Sequence, residues 1–375
     1  MDFSYTDEQK MLVSAAADLF DKAYDPESRR ETVSTALGWS KDVWAQCAEM
    51  GLLGLPFSEA DGGMGAGPIE VMAVMTEVGR RLVPEPILDV VVVAGGVIAQ
   101  QGTAEQRAEW LPAITAGERL VVLAHHEPGR RWPVRSVTTA ARREDGRWLI
   151  SGVKNPVSHG DCADTAIVSA ALPDGGTGLF LVSADAQGVE RTGYATHDGL
   201  RGGQWRLDSA EAEPLGESAD CTGVIRDAEV RAQAGLAAEA VGAMDEALRL
   251  TTDYLKTRRQ FGVPLATFQT LTQRAADVYV LVELARSMSM YASMSLADGN
   301  TDTTVASRVQ FQICESARAV GQEAIQMHGG IGVTDEYPVS HYASRLLAIE
   351  HTLGGREEHL RVLIDGVRAY DVVEL

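Results

Sequence analysis

The chain has 375 residues, 45% hydrophobic and 23% charged, a globular balance with length for two or three layers or domains. Its formal net charge of −20 sets aside nucleic acid and anionic lipid as partners, though not an anionic ligand at a local site. No apolar run reaches the roughly 20 residues of a membrane span, "VVVAGGVIA" (90–98) being short and broken by glycine.

The amino terminus, "MDFSYTDEQK", is acidic and lacks a signal-peptide hydrophobic region. "TDEQKMLVSAAADLFDKAY" predicts a helix with a Thr6 cap, a charged first turn and apolar spacing near 3.6. "WSKDVWAQCAEMGLLGL" predicts a second helix. "PFSEADGGMGAGP" breaks the pattern, and "PIEVMAVMTEVGRRLV" and "AEQRAEWLPAITAGE" resume it, which makes residues 1–120 a helical block. Residues 121–225 change character: "LVVLAHHE", "SVTTAARRE", "RWLISGVK", "TAIVSAAL", "GTGLFLVSA" and "GQWRLDSAEAE" are short and β-rich, with "EDGR" and "PDGGTG" as turns. They predict a small antiparallel sheet or barrel. From 226 to 375 the helical period returns, with long apolar stripes over 227–258, 265–297 and 302–328, then a C-terminal helix: an antiparallel four-helix bundle. Cys47, Cys162, Cys221 and Cys314 are scattered, without CxxC, and read as reduced thiols of a cytoplasmic protein.

This α+β order, with "MGLLGLPFSEADGGMG", "YLKTRRQFGVPLATFQTLTQRAADV" and "AIQMHGGIGVTDEYPV", resembles the acyl-CoA dehydrogenase family over essentially the whole chain. Within it, "EAVGAMDEALRLTTDYLKTRRQFG" and "GYATHDGLR" are similar to the small subunit type of pimeloyl-CoA dehydrogenases. Steroid-degrading dehydrogenases of two unlike subunits are neighbours. The resemblance implies FAD, removal of a proton from the acyl α-carbon, and transfer of the β-hydrogen as hydride.

In the family, one subunit touches the diphosphate and adenosine of its neighbour's FAD through an arginine, phenylalanine, leucine and glutamine, here Arg258, Phe261, Leu265 and Gln269. A planar guanidinium suits phosphate oxygens. Taken alone, "KTRR" is equally a cation cluster at a helix C-terminus. Gln326, Gly329 and Gly330 match residues lining the same FAD. Taken alone, the glycines also satisfy a plain helix cap.

What a subunit needs for its own flavin is altered. "HHEPGRRWP" keeps Glu127, Pro128 and Gly129, but His126 replaces a threonine, and Arg131, Trp132 and Pro133 stand where glycine, serine and aspartate are expected. Pro156, Val157 and Ser158 replace a Trp-Ile-Thr triplet. Ser158 retains a hydroxyl for the ring, whereas Pro156 has no indole face. Both family positions for the catalytic glutamate lack a carboxylate, being Leu353 and Ala232. Glu350 lies about one helical turn before Leu353 and is a substitute only if it shifts. A solvated or paired carboxylate explains it better, and "REEHL", with Glu357 and Glu358, reads as an exposed helix start. The eight histidines have no metal spacing. His125 and His126, adjacent on a strand, are expected to face opposite ways. Should the acyl chain carry a second carboxyl group, its cation would be sought among Arg130, Arg131 and Arg201.

The asymmetry points to the subunit without the base in an α2β2 dehydrogenase, clamping its partner's FAD. The other partners implied are an acyl-CoA substrate and an electron-transferring flavoprotein. A homotetramer using Glu350, and a flavin-free structural or acyl-CoA-binding member, remain open.

Overall fold

The computed structural model describes residues 5–134, 136–217 and 219–367. The outer ends of the first and last expected blocks lie outside the described residues. The helical block contains α1 (Asp7–Ala23), α2 (Pro26–Ser34), α3 (Lys41–Glu49), α4 (Pro68–Arg81), a π-helical segment (Ile87–Gly95), α5 (Gly96–Gln101) and α6 (Ala104–Thr115). The strands are β1 (Val121–Ala124), β2 (Ala140–Glu144), β3 (Arg147–Ser158), β4 (Thr165–Ala171), β5 (Thr177–Ser183), β6 (Val189–Ala195) and β7 (Arg201–Pro214). Then come α7 (Thr222–Thr257), a hairpin of β8 (Arg259–Gln260) and β9 (Val263–Pro264), α8 (Gln269–Ala297), α9 (Thr303–His328), α10 (Val339–His351) and α11 (Arg356–Val367). Helix α7 starts ahead of the expected 226.

The chain forms two compact units. The first takes the residues up to Arg29, Pro68–Val83 and those from Gln233 on. Thr6 caps α1 as expected: its hydroxyl accepts from the Gln9 amide and the Gln9 side chain returns the bond to the Thr6 amide. Helix α9 is central, packing on α8, α10 and α11. It buries Ala306, Val309, Ile313, Ala317, Val320 and Ala324, spaced three and four apart, one face of a helix. Helix α7 buries a row of alanines against α4. There a side chain at Gly79 would run into the Glu239 carbonyl, and one at Gly242 into the Thr76 carbonyl. Arg345 on α10 pairs with buried Glu239 on α7 through two bonds of 2.6 and 2.8 Å.

The second unit takes Arg30–Gly67 and Pro84–Ala232. Its sheet closes: β4 pairs β5, β5 pairs β7, β7 pairs β3, β3 pairs β2, and β2 returns to β4. These pairings are antiparallel except the last, and β1 also joins β4 in parallel, so the expected antiparallel barrel carries two parallel joints. Trp205, Phe180, Ile150 and Ile167 fill the inside. β6 was not expected. It is polar, half exposed, and pairs only with β7.

One charged pair lies in that core. Lys154 is 0% exposed and its Nζ donates to Glu127 Oε1 at 2.9 Å, Ser169 Oγ at 3.1 Å and the His125 carbonyl at 3.2 Å. Glu127 also accepts from the amides and hydroxyls of Thr138 and Thr139, at 2.6–2.8 Å. Burial would raise the Glu127 carboxyl, but these four bonds hold it well below the usual range. His125 and His126 lie past the end of β1, where alternation no longer holds, and their rings meet edge to face at 5.6 Å.

Candidate flavin and acyl-thioester site

In the first unit, α7 ends at Thr257 and the chain reverses through the β8–β9 hairpin. Its two-residue tip is Phe261-Gly262, with φ of +53° and +83°. Both tip residues are left-handed, as a type I′ turn requires, and phenylalanine is a costly choice there. Phe261 is also 90% exposed. Its ring meets that of Phe268 edge to face, with centroids 6.1 Å apart.

Arg258 is exposed; its carbonyl accepts from the Leu265 amide at 2.8 Å. Arg259 folds back onto the Gly262 carbonyl at 2.9 Å. Arg258 makes no ion pair with the described residues, so of the two guanidinium groups it is the available one. Leu265 is half-buried and Gln269 is exposed at the first turn of α8.

The tyrosine one turn before Arg258 carries the second segment. Tyr254 packs on His328 with ring centroids 4.6 Å apart, and His328 on Tyr337 at 4.9 Å. Burial keeps His328 below its ordinary range, and its Nδ1 donates to the Ala324 carbonyl at 2.7 Å, so it is a neutral structural residue. This stack fixes the end of α9 beside the end of α7. Gln326, Gly329 and Gly330 line this corner, both glycines exposed. Gly329 has φ +67° and ψ −142°, open to glycine alone, and a side chain added at either glycine would meet nothing within 4 Å. The neighbourhood has room, bare backbone and a free guanidinium, which suits an extended phosphate-bearing group.

Leu353 follows α10 in a left-handed conformation, φ +55°, ahead of Gly354 at +96°. Its carbonyl accepts from Gln233 Nε2 at 3.2 Å. Glu350 is 1% exposed and turned to α9, where its Oε1 meets Arg318 Nη2 at 2.5 Å. That pairing is the paired reading of Glu350. Glu357 and Glu358 lie in the first turn of α11, the expected helix start.

In the second unit, Pro156 sits in a break of the β3–β7 register, between Lys154 and Val157, where no amide donor is needed. Ser158 ends β3 with its side chain exposed. Beside it, buried His159 uses both ring nitrogens, toward Asp89 at 2.7 Å and the Pro84 carbonyl at 3.2 Å. Burial opposes its protonation, but these partners raise it above the ordinary value. Glu127 belongs to the Lys154 pair, and is thus a structural remnant of "HHEPGRRWP". Arg201 is held by Asp161 at 2.6–2.7 Å and Arg130 and Arg131 are exposed, so none of the three is an available buried cation.

Sequence reasoning passed over Glu229 and Arg231, because both sit inside the apolar stripe of α7. Trp132 Nε1 donates to Glu229 Oε2 at 3.2 Å. Burial, opposed by that bond, lifts Glu229 to about 7. The folded state therefore keeps a proton that the unfolded chain loses near pH 4.5, and stability drains as pH rises through that window. Glu229→Gln, which retains an acceptor for Trp132, is expected to gain on the order of 2 kcal/mol more over wild type at pH 8 than at pH 5. Urea titrations at the two pH values check this.

Among the described residues no group of three or more His, Cys, Asp and Glu side chains is placed to hold a metal, and no helix is long and apolar enough to cross a membrane.

Residues 6–118, 123–207 and 229–367 match the acyl-CoA dehydrogenase N-terminal, middle and C-terminal domains. The chain belongs to the acyl-CoA dehydrogenase family, oxidoreductases acting on CH–CH groups with a flavin cofactor. It is similar to the acyl-CoA dehydrogenase FadE27 of Mycobacterium tuberculosis, 28% identical over 370 residues, covering 96% of this chain and 97% of the relative. Among solved structures it is similar to a variant of the Tcur3481-Tcur3483 steroid ACAD, at TM-score 0.88 and 32% identity over 96% of this chain and 98% of the other. The ChsE4-ChsE5 complex of Mycobacterium tuberculosis aligns at TM-score 0.91 and 27% identity, over 99% and 100%.

Proposed function

We propose that this chain is the subunit without the catalytic glutamate in a cytoplasmic heteromeric FAD-dependent acyl-CoA dehydrogenase. It clamps the adenosine and diphosphate end of FAD held mainly by an unlike partner. The observation that carries this is the pairing of an exposed, strained hairpin and an open glycine corner with an apolar side chain at the family's base position. FAD, when bound, accepts the β-hydrogen as hydride. Arg258 would face the diphosphate, and Phe261, Leu265, Gln269 and Gln326 would cover the adenosine end. Gly329 and Gly330 would admit the cofactor to backbone. Two solved relatives, each named as a pair, support an unlike partner. Electron-transferring flavoprotein is the acceptor the family resemblance suggests. The three blocks 1–120, 121–225 and 226–375 serve as its domains, supported by the ranges of the three family matches.

Leu353 and Ala232 can take no proton, so this chain's residues bind and orient while the partner's carboxylate works on the α-carbon. Glu350 as a relocated base would have to leave Arg318, giving up the partner of a buried carboxylate.

The test is flavin content by visible absorbance. The chain alone is expected to hold little FAD, and the co-purified unlike pair about one FAD per pair. A full flavin per isolated chain would overturn the reading. Arg258→Ala in the pair is expected to weaken FAD retention on the order of tenfold or more, the loss of a charge-assisted contact of about 1.5–3 kcal/mol. Unchanged flavin content after dialysis would favour the flavin-free alternative.

A further inference from the structure

One buried histidine is used by none of the functions assigned above. His159 directly follows Ser158, the last residue of β3, and is 4% exposed. Its backbone is left-handed, with φ +50°, and is held from both sides. The amide donates to the Arg201 carbonyl at 2.9 Å, and the carbonyl accepts from Cys162 Sγ at 3.2 Å. The ring is therefore delivered from a fixed point.

What it grips lies about 70 residues earlier. Nδ1 meets Asp89 Oδ2 at 2.7 Å and Nε2 meets the Pro84 carbonyl at 3.2 Å. A carbonyl oxygen only accepts. An ionised carboxylate only accepts as well, and the Asp89 side chain, 24% exposed, has solvent for its charge. Both ring nitrogens must then carry a proton to make both bonds. A neutral imidazole has one N–H and keeps one bond of the two. The two acceptors bracket the entry of the π-helical segment, Ile87–Gly95. Pro86, at its N-cap, gives it no side-chain bond, and neither Pro84 nor Pro86 has an amide to donate.

The charged and titratable groups around the ring are otherwise committed. Asp161 is held by Arg201 of β7 at 2.6–2.7 Å, and Glu85 accepts from the Ser40 amide at 3.1 Å. Burial pushes the Cys162 thiol up to about 11.

We propose that His159 is a proton-dependent clamp on the entry of the π-helical segment: doubly protonated, it ties Pro84 and Asp89 to the end of β3, and on losing a proton it frees one of them. The clamp stands whether or not the chain lends residues to a flavin. Burial, the largest single influence, opposes the charge. Asp89, Pro84 and Asp161 together outweigh it and raise the ring above the ordinary 6.5. The clamp is thus complete below that pH and is lost as pH rises through the raised value.

The experiment is hydrogen exchange of the full chain between about pH 6 and pH 9, beside an NMR titration of the His159 ring. Protection of the 87–95 amides, corrected for intrinsic exchange, is expected to fall on the order of tenfold or more, the loss of a charge-assisted bond. The fall should share the midpoint of the ring. Asp89→Asn keeps an acceptor without the charge, and is expected to move both midpoints down together. His159→Gln has no proton to lose, and is expected to leave protection low and flat. Each variant carries the test if the other does not fold. Glu229 and Lys154 titrate in the same window. A fall that keeps its midpoint in Asp89→Asn, or persists in His159→Gln, would belong to them and overturn the clamp. So would protection that stays constant while the ring titrates, or a ring already neutral at pH 6.

Discussion

Glu127→Ala is expected to unfold or nearly unfold the β unit, costing at least about 3–5 kcal/mol, the usual result of removing one partner of a buried ion pair. Lys154 would be left as a buried ammonium without a counterion. The amides and hydroxyls of Thr138 and Thr139 would lose their acceptor together. Lys154→Met is expected to cost less, because the carboxylate keeps four donors and methionine fills much of the stem's volume. Urea unfolding followed by the fluorescence of Trp205 and Trp148 checks the order. Equal losses would mean that the threonine bonds contribute nothing beyond the ion pair.

Gly242→Ala is expected to destabilise the helical unit by about 3 kcal/mol, despite the roughly 1 kcal/mol that alanine gains over glycine in a helix. The added carbon meets the Thr76 carbonyl and the Arg80 amide, all backbone, which no rotamer change relieves. Helices α4 and α7 must part, as they must for Gly79→Ala at the Glu239 carbonyl. Either change opens the same seam, so the double variant should cost clearly less than the two singles added. Thermal melts of the three variants measure this, and strict additivity would show that the contacts are independent.

How far the chain was legible depended on whether a local pattern carried the information. The Thr6 cap of α1 and the long stripe of α9 are written in contiguous residues, and each appears where its residues stand, whereas the hairpin at Phe261-Gly262 was not anticipated. Strand β6, "VERTGYA", was not legible because its side chains are polar and half exposed, and its position comes from pairing with β7. The polar helix α2 was missed for a like reason. "ILDVVVVAG" has the β-branched composition of a buried strand, yet packing makes it π-helical. The motif resemblance singled out Arg258, Gly329 and Leu353 as candidates. It could not tell that Glu127 answers to Lys154, which is 27 residues away. Nor could it tell that Arg231 on α7 donates to Gln100, on a helix far earlier in the chain.

The left-handed backbone at Leu353, φ +55°, bears on what this position can accept. Such a conformation costs a side-chain-bearing residue about 1–2 kcal/mol, and a leucine has no polar group to recover it locally. A glycine or an asparagine at 353 would take the same backbone at less cost. Residue 353 is thus a place where a single exchange leaves the backbone as it stands, whereas Glu127 in "HHEPGRRWP" is tied to Lys154, Thr138 and Thr139 at once and yields to no single exchange.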